Sequence, residues 1–396
     1  MTPIRRMPAS DVASDTTSDI PAVQAAAPRP RLARRALFAA LASAALALPA
    51  VATAVYYADG AVFTLTNAAD GNRVVVYDRH ADGSLGAKRS FSTGGNGSGG
   101  GLGNQGAVAL SDSGQWLLAV NAGSDSVSVF YVLGSFLYRT DVEASGGTRP
   151  VSVTIEDDIV YVLNAGSDTL QGFRLTTYGR LQPIPNSRRA LSGSGTAPAQ
   201  VEFNRDGDLI AVTEKATNRV LTFAVDGDGR LGPVTVSASP APTPFGFAFG
   251  RGDTLLVSEG AGGAAGASTL SSYRLRGNGA ATVVSAAVPS GQSAACWVVT
   301  TRDGRFAFVS NTASGNLSTY RIAGAQASLL QAISANTGNG SGPTDMALDR
   351  NSRFLYTLDP RNGNIIAMRV AVNGALTTIE TEAAGLQPFA TGLVAR

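Results

Sequence analysis

The stretch Val201–Asp226, VEFNRDGDLIAVTEKATNRVLTFAVD, decides the fold. It reads as three short strands, VEFN, LIAVTE and RVLTFAV, separated by an Asp206-Gly207 turn and a polar turn at Ala216-Thr217-Asn218. Apolar residues alternate along each run, and Asp-Gly and Asn punctuate them, so the unit is a β-meander and not a helix.

The same unit recurs along the chain. Its second strand ends at Asn67, Asn121, Asn164, Glu214, Glu259, Asn311 and Asp359, at intervals of 43 to 54 residues. A period near 50 with four strands per unit is the signature of a β-propeller. The inner strands carry a marker of their own: Pro150, Pro198, Pro244, Pro343 and Pro388 precede PVSV, PAQVEF, PFGFAF, PTDMAL and PFATGL, and Gln105 and Ala295 stand at the corresponding points of units two and six. Proline belongs at a strand's first residue, where no ladder hydrogen bond is lost. Unit one lacks such a strand ahead of Ala61, while the C-terminus ends in a spare one. The expected architecture is therefore all-β: a seven-bladed propeller whose first blade is closed by the C-terminal strand. The Pro-marked starts and the Asn/Glu/Asp ends then share one face, at the mouth of the central channel.

Residues 1–28 are polar and rich in Ala and Pro, and are expected to form a disordered leader. Arg29, Arg31, Arg34 and Arg35 then precede LFAALASAALALPAVATA, a basic region followed by an apolar stretch and the small-residue end Ala52-Thr53-Ala54. Residues 29–54 are read as a signal peptide and 55–396 as the propeller domain, placing the mature protein outside the cytoplasm, periplasmic or secreted, with no stable membrane span after cleavage. Arg34-Arg35 weakly resembles a twin-arginine signal, and Met7 is an alternative start.

Composition excludes several chemistries. Beyond residue 54 the chain carries 25 Lys and Arg against 26 Asp and Glu, a balance that argues against a nucleic-acid surface. The single histidine, His80, lies in an outer hairpin turn far from the mouth, so no Ser-His-Asp triad is expected there. One Cys, Cys296, and one His cannot build a usual zinc site, and no metal or cofactor is expected. The Gly94–Gly106 run, GGNGSGGGLGNQG, lacks the Lys-Ser/Thr of a phosphate loop and reads as a flexible connection between blades. Gly260–Ser268, GAGGAAGAS, reads either as a lid over the mouth or as an uncommitted long loop.

At the strand ends, Asn and Asp need only a turn-forming explanation, because Asx side chains bond the backbone two residues on. Glutamate does this poorly, so Glu214 and Glu259 depart from the repeat. At the inner-strand starts, Arg149, Gln105, Gln200, Phe245, Trp297 and Asp345 replace small residues, and Lys215 follows Glu214 directly. Arg149 with Glu214 and Glu259 is the candidate catalytic set. Gln105, Gln200, Lys215, Phe245, Trp297 and Asp345 are the candidate ligand-binding set.

The segments GAVALSDSGQWLLAVNAGSDSVSVF, TRDGRFAFVSNTASGNLSTYRI and PTDMALDRNSRFLYTLDPRNG resemble the seven-bladed lactonase family, which includes propeller-type 6-phosphogluconolactonases and carboxymuconate cyclases. The resemblance covers about residues 56–396. It implies a site at the channel mouth with His, Arg and Glu around a carboxylate or lactone. Glu214 looks like the family's acidic residue, whereas the segment that should supply histidine reads Arg149-Pro150-Val151-Ser152. Lactone opening would then use Glu214 or Glu259 as base toward water, with Arg149 at the oxyanion. The expectation is an exported, monomeric, lactonase-like propeller with a small-molecule site for a lactone, sugar acid or other carboxylate. The alternative is a non-catalytic propeller binding a ligand, glycan or protein through its top face.

Overall fold

A computed structural model describes residues 59–396. The expected leader and signal peptide lie outside the described residues. Seven antiparallel sheets follow one another along the chain, and in blades two to seven the strands run outward from the inner one in sequence order. The inner strands are Val108–Leu110, Pro150–Glu156, Pro198–Phe203, Pro244–Phe249, Ala295–Thr300 and Met346–Leu348 for blades two to seven. In blade one the inner position is taken by the C-terminal strand Thr391–Ala395, which pairs with Gly60–Leu65 (Phe63 with Val394, Thr64 with Leu393). Closure by the C-terminal strand, expected from the spare PFATGLV, is thus present.

Blade three departs from four strands. Its outer edge is split into Leu181–Pro183 and Arg189–Ala190, both paired to Thr169–Leu175. Pro183 and Pro185 flank the break, and neither has an N–H to give to a ladder.

The second strands are buried along their whole length, as in LIAVTE, TLLVSE, FAFVSN and FLYTLD. A strand packed by a blade on each side has no polar face, so near-continuous apolar runs replace the alternation of a one-sided sheet. Outer strands such as Leu85–Ser92 and Gln326–Asn336 are largely exposed, and Lys88 and Arg89 on the first blunt that sheet edge.

Blades are joined by aromatic residues whose polar ends cross the seam. Tyr161 Oη donates to Gly229 O (2.7 Å), Tyr356 Oη to Gly83 O (2.8 Å) and Tyr77 Oη to Ala384 O (3.2 Å). Each ring is buried. Such a side chain stabilises by roughly 1.5–3 kcal/mol through burial, and the hydroxyl leaves no orphan donor.

Because Thr391–Ala395 supplies every ladder contact on the inner edge of blade one, deleting residues 391–396 should break the ring. The expected result is non-cooperative thermal unfolding, or a Tm lower by about 10 °C or more. A truncated protein that melts like the full chain would show that closure contributes little.

Candidate functional site at the channel mouth

The inner strands begin with an irregularity. In blades three, four, five and six the pairing shifts register just after the first residue, between Pro150 and Ser152, Pro198 and Gln200, Pro244 and Phe247, and Ala295 and Val298. A bulge re-aims side chains, and here it surrounds Gln200, Gly246 and Trp297.

Gln105 reaches from blade two across to blades five and six. Its Nε2 donates to Val298 O (2.9 Å) and Phe247 O (3.3 Å), and its Oε1 accepts from Val298 N (3.1 Å). Gln200 does the same from blade four, donating to Phe247 O (2.9 Å) and accepting from Phe247 N (2.7 Å). The two amides satisfy strand groups that the bulges leave without ladder partners. Gly246 makes this crossing possible, since a Cβ there would overlap Gln105 Oε1 and the Cys296 carbonyl.

Above these amides, Lys215 Nζ sits 4.9 Å from the centre of the Phe245 ring, which packs against Trp297 at 5.1 Å between centroids. The ammonium donates to Gly103 O and, at 3.4 Å, to Pro198 O. Burial, reinforced by the charge of Arg149, pulls its pKa down to about 8. Below Trp297, burial pushes the Asp345 carboxyl up to about 7. The Thr391 hydroxyl lies 3.4 Å from Asp345 Oδ2 and 3.1 Å from Asn104 Oδ1. The Trp297 indole N–H favours the ionised form of Asp345 but is not aligned into a full hydrogen bond. Deeper still, Gln200 donates to Glu202 (2.7 Å), whose carboxyl burial raises to about 8.

Hence Gln105, Gln200, Lys215, Phe245, Trp297 and Asp345 are brought together around the channel. The expected catalytic set is not. Glu214 is fully buried, accepting from Ser192 N (2.9 Å), Ser192 Oγ (2.5 Å) and Thr217 Oγ1 (2.5 Å) in the seam beside blade three. Glu259 is fully buried and accepts from Thr269 Oγ1 (2.6 Å), Ser239 Oγ (3.2 Å) and Ser271 Oγ. Its partners hold the strand positions used by Ser126 and Ser128 around Asn121, since Glu259 pairs with Thr269 as Asn121 pairs with Ser126. Each glutamate therefore occupies the seam position that Asn holds elsewhere. Arg149 is exposed at the rim at φ 51°, its N–H held by Asp125 Oδ1 (2.6 Å).

The Gly94–Gly106 run also differs from a flexible connection. Gly97 N donates to Ala68 O (2.7 Å), Gly99 N to Asn67 O (2.9 Å) and Gln105 N to Ala199 O (3.0 Å), so the segment runs from blade one to blade four over the mouth. Its glycines allow close backbone approach, and Gly97 lies where a Cβ would overlap the Asn67 backbone. The Gly260–Ser268 loop is held to its own rim, through Gly260 N to Thr243 O (2.9 Å) and Ser268 N to Gln292 O (2.8 Å). His80 lies in the outer hairpin turn, its N–H donating to Ser84 O (2.9 Å).

Replacing Gly246 with Ala should cost about 1–3 kcal/mol in denaturant unfolding, and Gln105→Ala should recover part of that loss in the double variant. Additive losses would show that the two positions do not share the space. The raised carboxyls give a pH dependence of definite sign. The folded chain holds protons at Asp345 and Glu202 that the unfolded chain has released, so this stabilisation is complete below about pH 4 and is lost as pH rises through 7 to 8. Asp345→Asn combined with Glu202→Gln should therefore flatten the fall in Tm between pH 5 and 8. An unchanged slope would place the titration elsewhere.

The description "Lactonase, 7-bladed beta-propeller" matches residues 55–193 and 274–391. Among curated protein sequences, none matches significantly. Of solved structures, a Lactobacillus plantarum protein superposes with a TM-score of 0.67 at 17% identity, covering 85% of this chain and 99% of that one. The Pseudomonas aeruginosa periplasmic gluconolactonase PpgL superposes at 0.65 with 16% identity, covering 84% and 99%. At such identities these two likenesses speak for the fold. The family match spans more than half of the sequence, and the chain belongs to the seven-bladed β-propeller lactonase family.

Proposed function

We propose that this protein hydrolyses a small lactone, of the sugar-acid class, at the channel mouth. The observation that carries this reading is the Lys215 ammonium poised over the Phe245–Trp297 pair, with a carboxyl of near-neutral pKa, Asp345, beneath Trp297. Family membership and the activity in the name of the P. aeruginosa relative support it.

In this reading the lactone lies against the aromatic pair, which suits the apolar face of a sugar ring. Lys215 holds the carbonyl oxygen and stabilises the negative charge that develops on it. Water attacks the carbonyl carbon while Asp345 takes its proton, a role that a carboxyl titrating near 7 fulfils at neutral pH. The ring C–O bond then breaks, the departing oxygen takes the proton back, and a hydroxy acid results. Arg149 at the rim meets the product carboxylate. Glu214 and Glu259 act as positioning residues, anchoring the strand ends behind the rim. The substrate displaces the Gly103 carbonyl from Lys215, so the Gly94–Gly106 segment must yield as it enters.

A second reading rests on that same segment. Because its backbone covers the mouth, the site could hold a sugar acid or glycan without turnover. The basic segment, apolar run and Ala52-Thr53-Ala54 end support action outside the cytoplasm. Among the described residues no helix is long and apolar enough to cross a membrane.

The test is hydrolysis of an aldonolactone panel followed by proton release. Lys215→Met should lower kcat/KM by about tenfold or more, and Asp345→Asn should lower kcat by about a hundredfold or more. Glu214→Gln should chiefly lower stability. A folded wild-type protein inert on the whole panel, yet binding an aldonate, would establish the second reading instead.

A further inference from the structure

The opposite face of the channel carries chemistry that the lactone reading does not use. There the turns joining inner to second strands place Arg205 in blade four, Arg251 in blade five and Arg302 in blade six, all exposed. Arg205 Nη1 donates to Arg302 O (3.1 Å), so the guanidinium of blade four extends past blade five to the turn of blade six. Arg251 packs its aliphatic stem against Gly304 in that same turn. Arg205 and Arg251 line a cavity of about 290 Å³ together with Asn204, Asp206, Phe249 and Asp253.

Burial depresses the Arg205 pKa, and the largest charge acting on it is Arg251, with Arg302 adding in the same sense against Glu202 and Asp112. Neighbouring carboxylates are committed to their own turns. Asp253 Oδ1 accepts from Asn204 Nδ2 (3.0 Å), and Asp303 Oδ1 accepts from Thr301 Oγ1 (2.6 Å) and Arg305 N (3.0 Å). Glu202, behind the cavity, accepts from Gln200 Nε2 (2.7 Å), and burial raises its carboxyl to about 8. Two guanidiniums lining a cavity, with the charge of a third, Arg302, acting on Arg205, form a donor set for a tetrahedral oxyanion.

We propose that the lower opening of the channel is a second site, separate from the mouth, that binds a small polyvalent oxyanion of the phosphate class through Arg205, Arg251 and Arg302. A cavity of about 290 Å³ has room for free phosphate or the phosphate of a small metabolite, and the vesicle arm of the test below distinguishes these from the phosphate of a membrane surface.

Titration calorimetry with inorganic phosphate at low salt tests this, alongside sedimentation with phosphatidylglycerol vesicles. The wild-type protein should bind phosphate saturably, and the triple variant Arg205→Gln, Arg251→Gln, Arg302→Gln should bind at least about tenfold more weakly. Glu202→Gln, which keeps the volume and lies outside the cavity lining, should retain binding and so serves as a control independent of the arginines. Circular dichroism and Tm establish that each variant is folded. Absent phosphate binding in the wild type, equal binding in the folded triple variant, or binding to vesicles alone would each overturn the proposal.

Discussion

The pairing of Thr391–Ala395 with Gly60–Leu65 is the constraint on which the rest depends. Without it, blade one has an open inner edge and the ring becomes an open arc, with an unpaired strand facing solvent. The pairing joins residues more than 300 positions apart, so its loop-closure cost must be met by everything folded between them. The same strand also furnishes part of the site, because Thr391 brings its hydroxyl to Asn104 and Asp345. Closure and assembly of the channel are therefore one event.

A closed ring still leaves an axis to fill. Here polar side chains fill it, and they are used as backbone would be: the Gln105 amide exchanges hydrogen bonds with Val298 of blade six and the Gln200 amide with Phe247 of blade five. A paired amide offers a donor and an acceptor in the spacing of a peptide unit, so a bulged strand recovers its lost partners. The bulge in blade six brings Trp297 toward the axis, beside Asp345 of blade seven. Desolvation there, more than any single neighbour, keeps the Asp345 and Glu202 carboxyls near neutral pKa.

Blade number, order, closure and the face carrying the mouth were all legible in the sequence, because each follows from a repeat that the chain states seven times. What was not legible was the direction of side chains at the points where the repeat breaks. Glu214 and Glu259 stood out as unusual residue types, yet each does what Asn does in sister blades, using its greater length to reach hydroxyls in the seam. Lys215, one residue on, departs in the direction that matters. Strand alternation carries that signal, since neighbouring residues face opposite ways, but a frayed strand end at a turn obscures it. Gln105 carried a comparable signal, a long polar residue where five other blades have proline. The glycine run preceding it read as slack because composition reports permissiveness, whereas contacts decide whether permissiveness is used for motion or for close packing.

The distribution of charge along the axis bears on how such a channel can work. Lys215 stands at the mouth, amides and the raised-pKa carboxyls of Asp345 and Glu202 occupy the middle, and arginines gather at the lower opening. A polar interior of amides and carboxyls between two cationic ends attracts anions to either face while offering no cation to draw one through. Gln105 and Gln200 bond across the passage between the ends. The two openings are thus isolated as sites even though one column of side chains links them. Under the two proposals, that separation lets a single ring carry two recognitions, one shaped by aromatic rings for a sugar-like body and one by guanidiniums for compact charge.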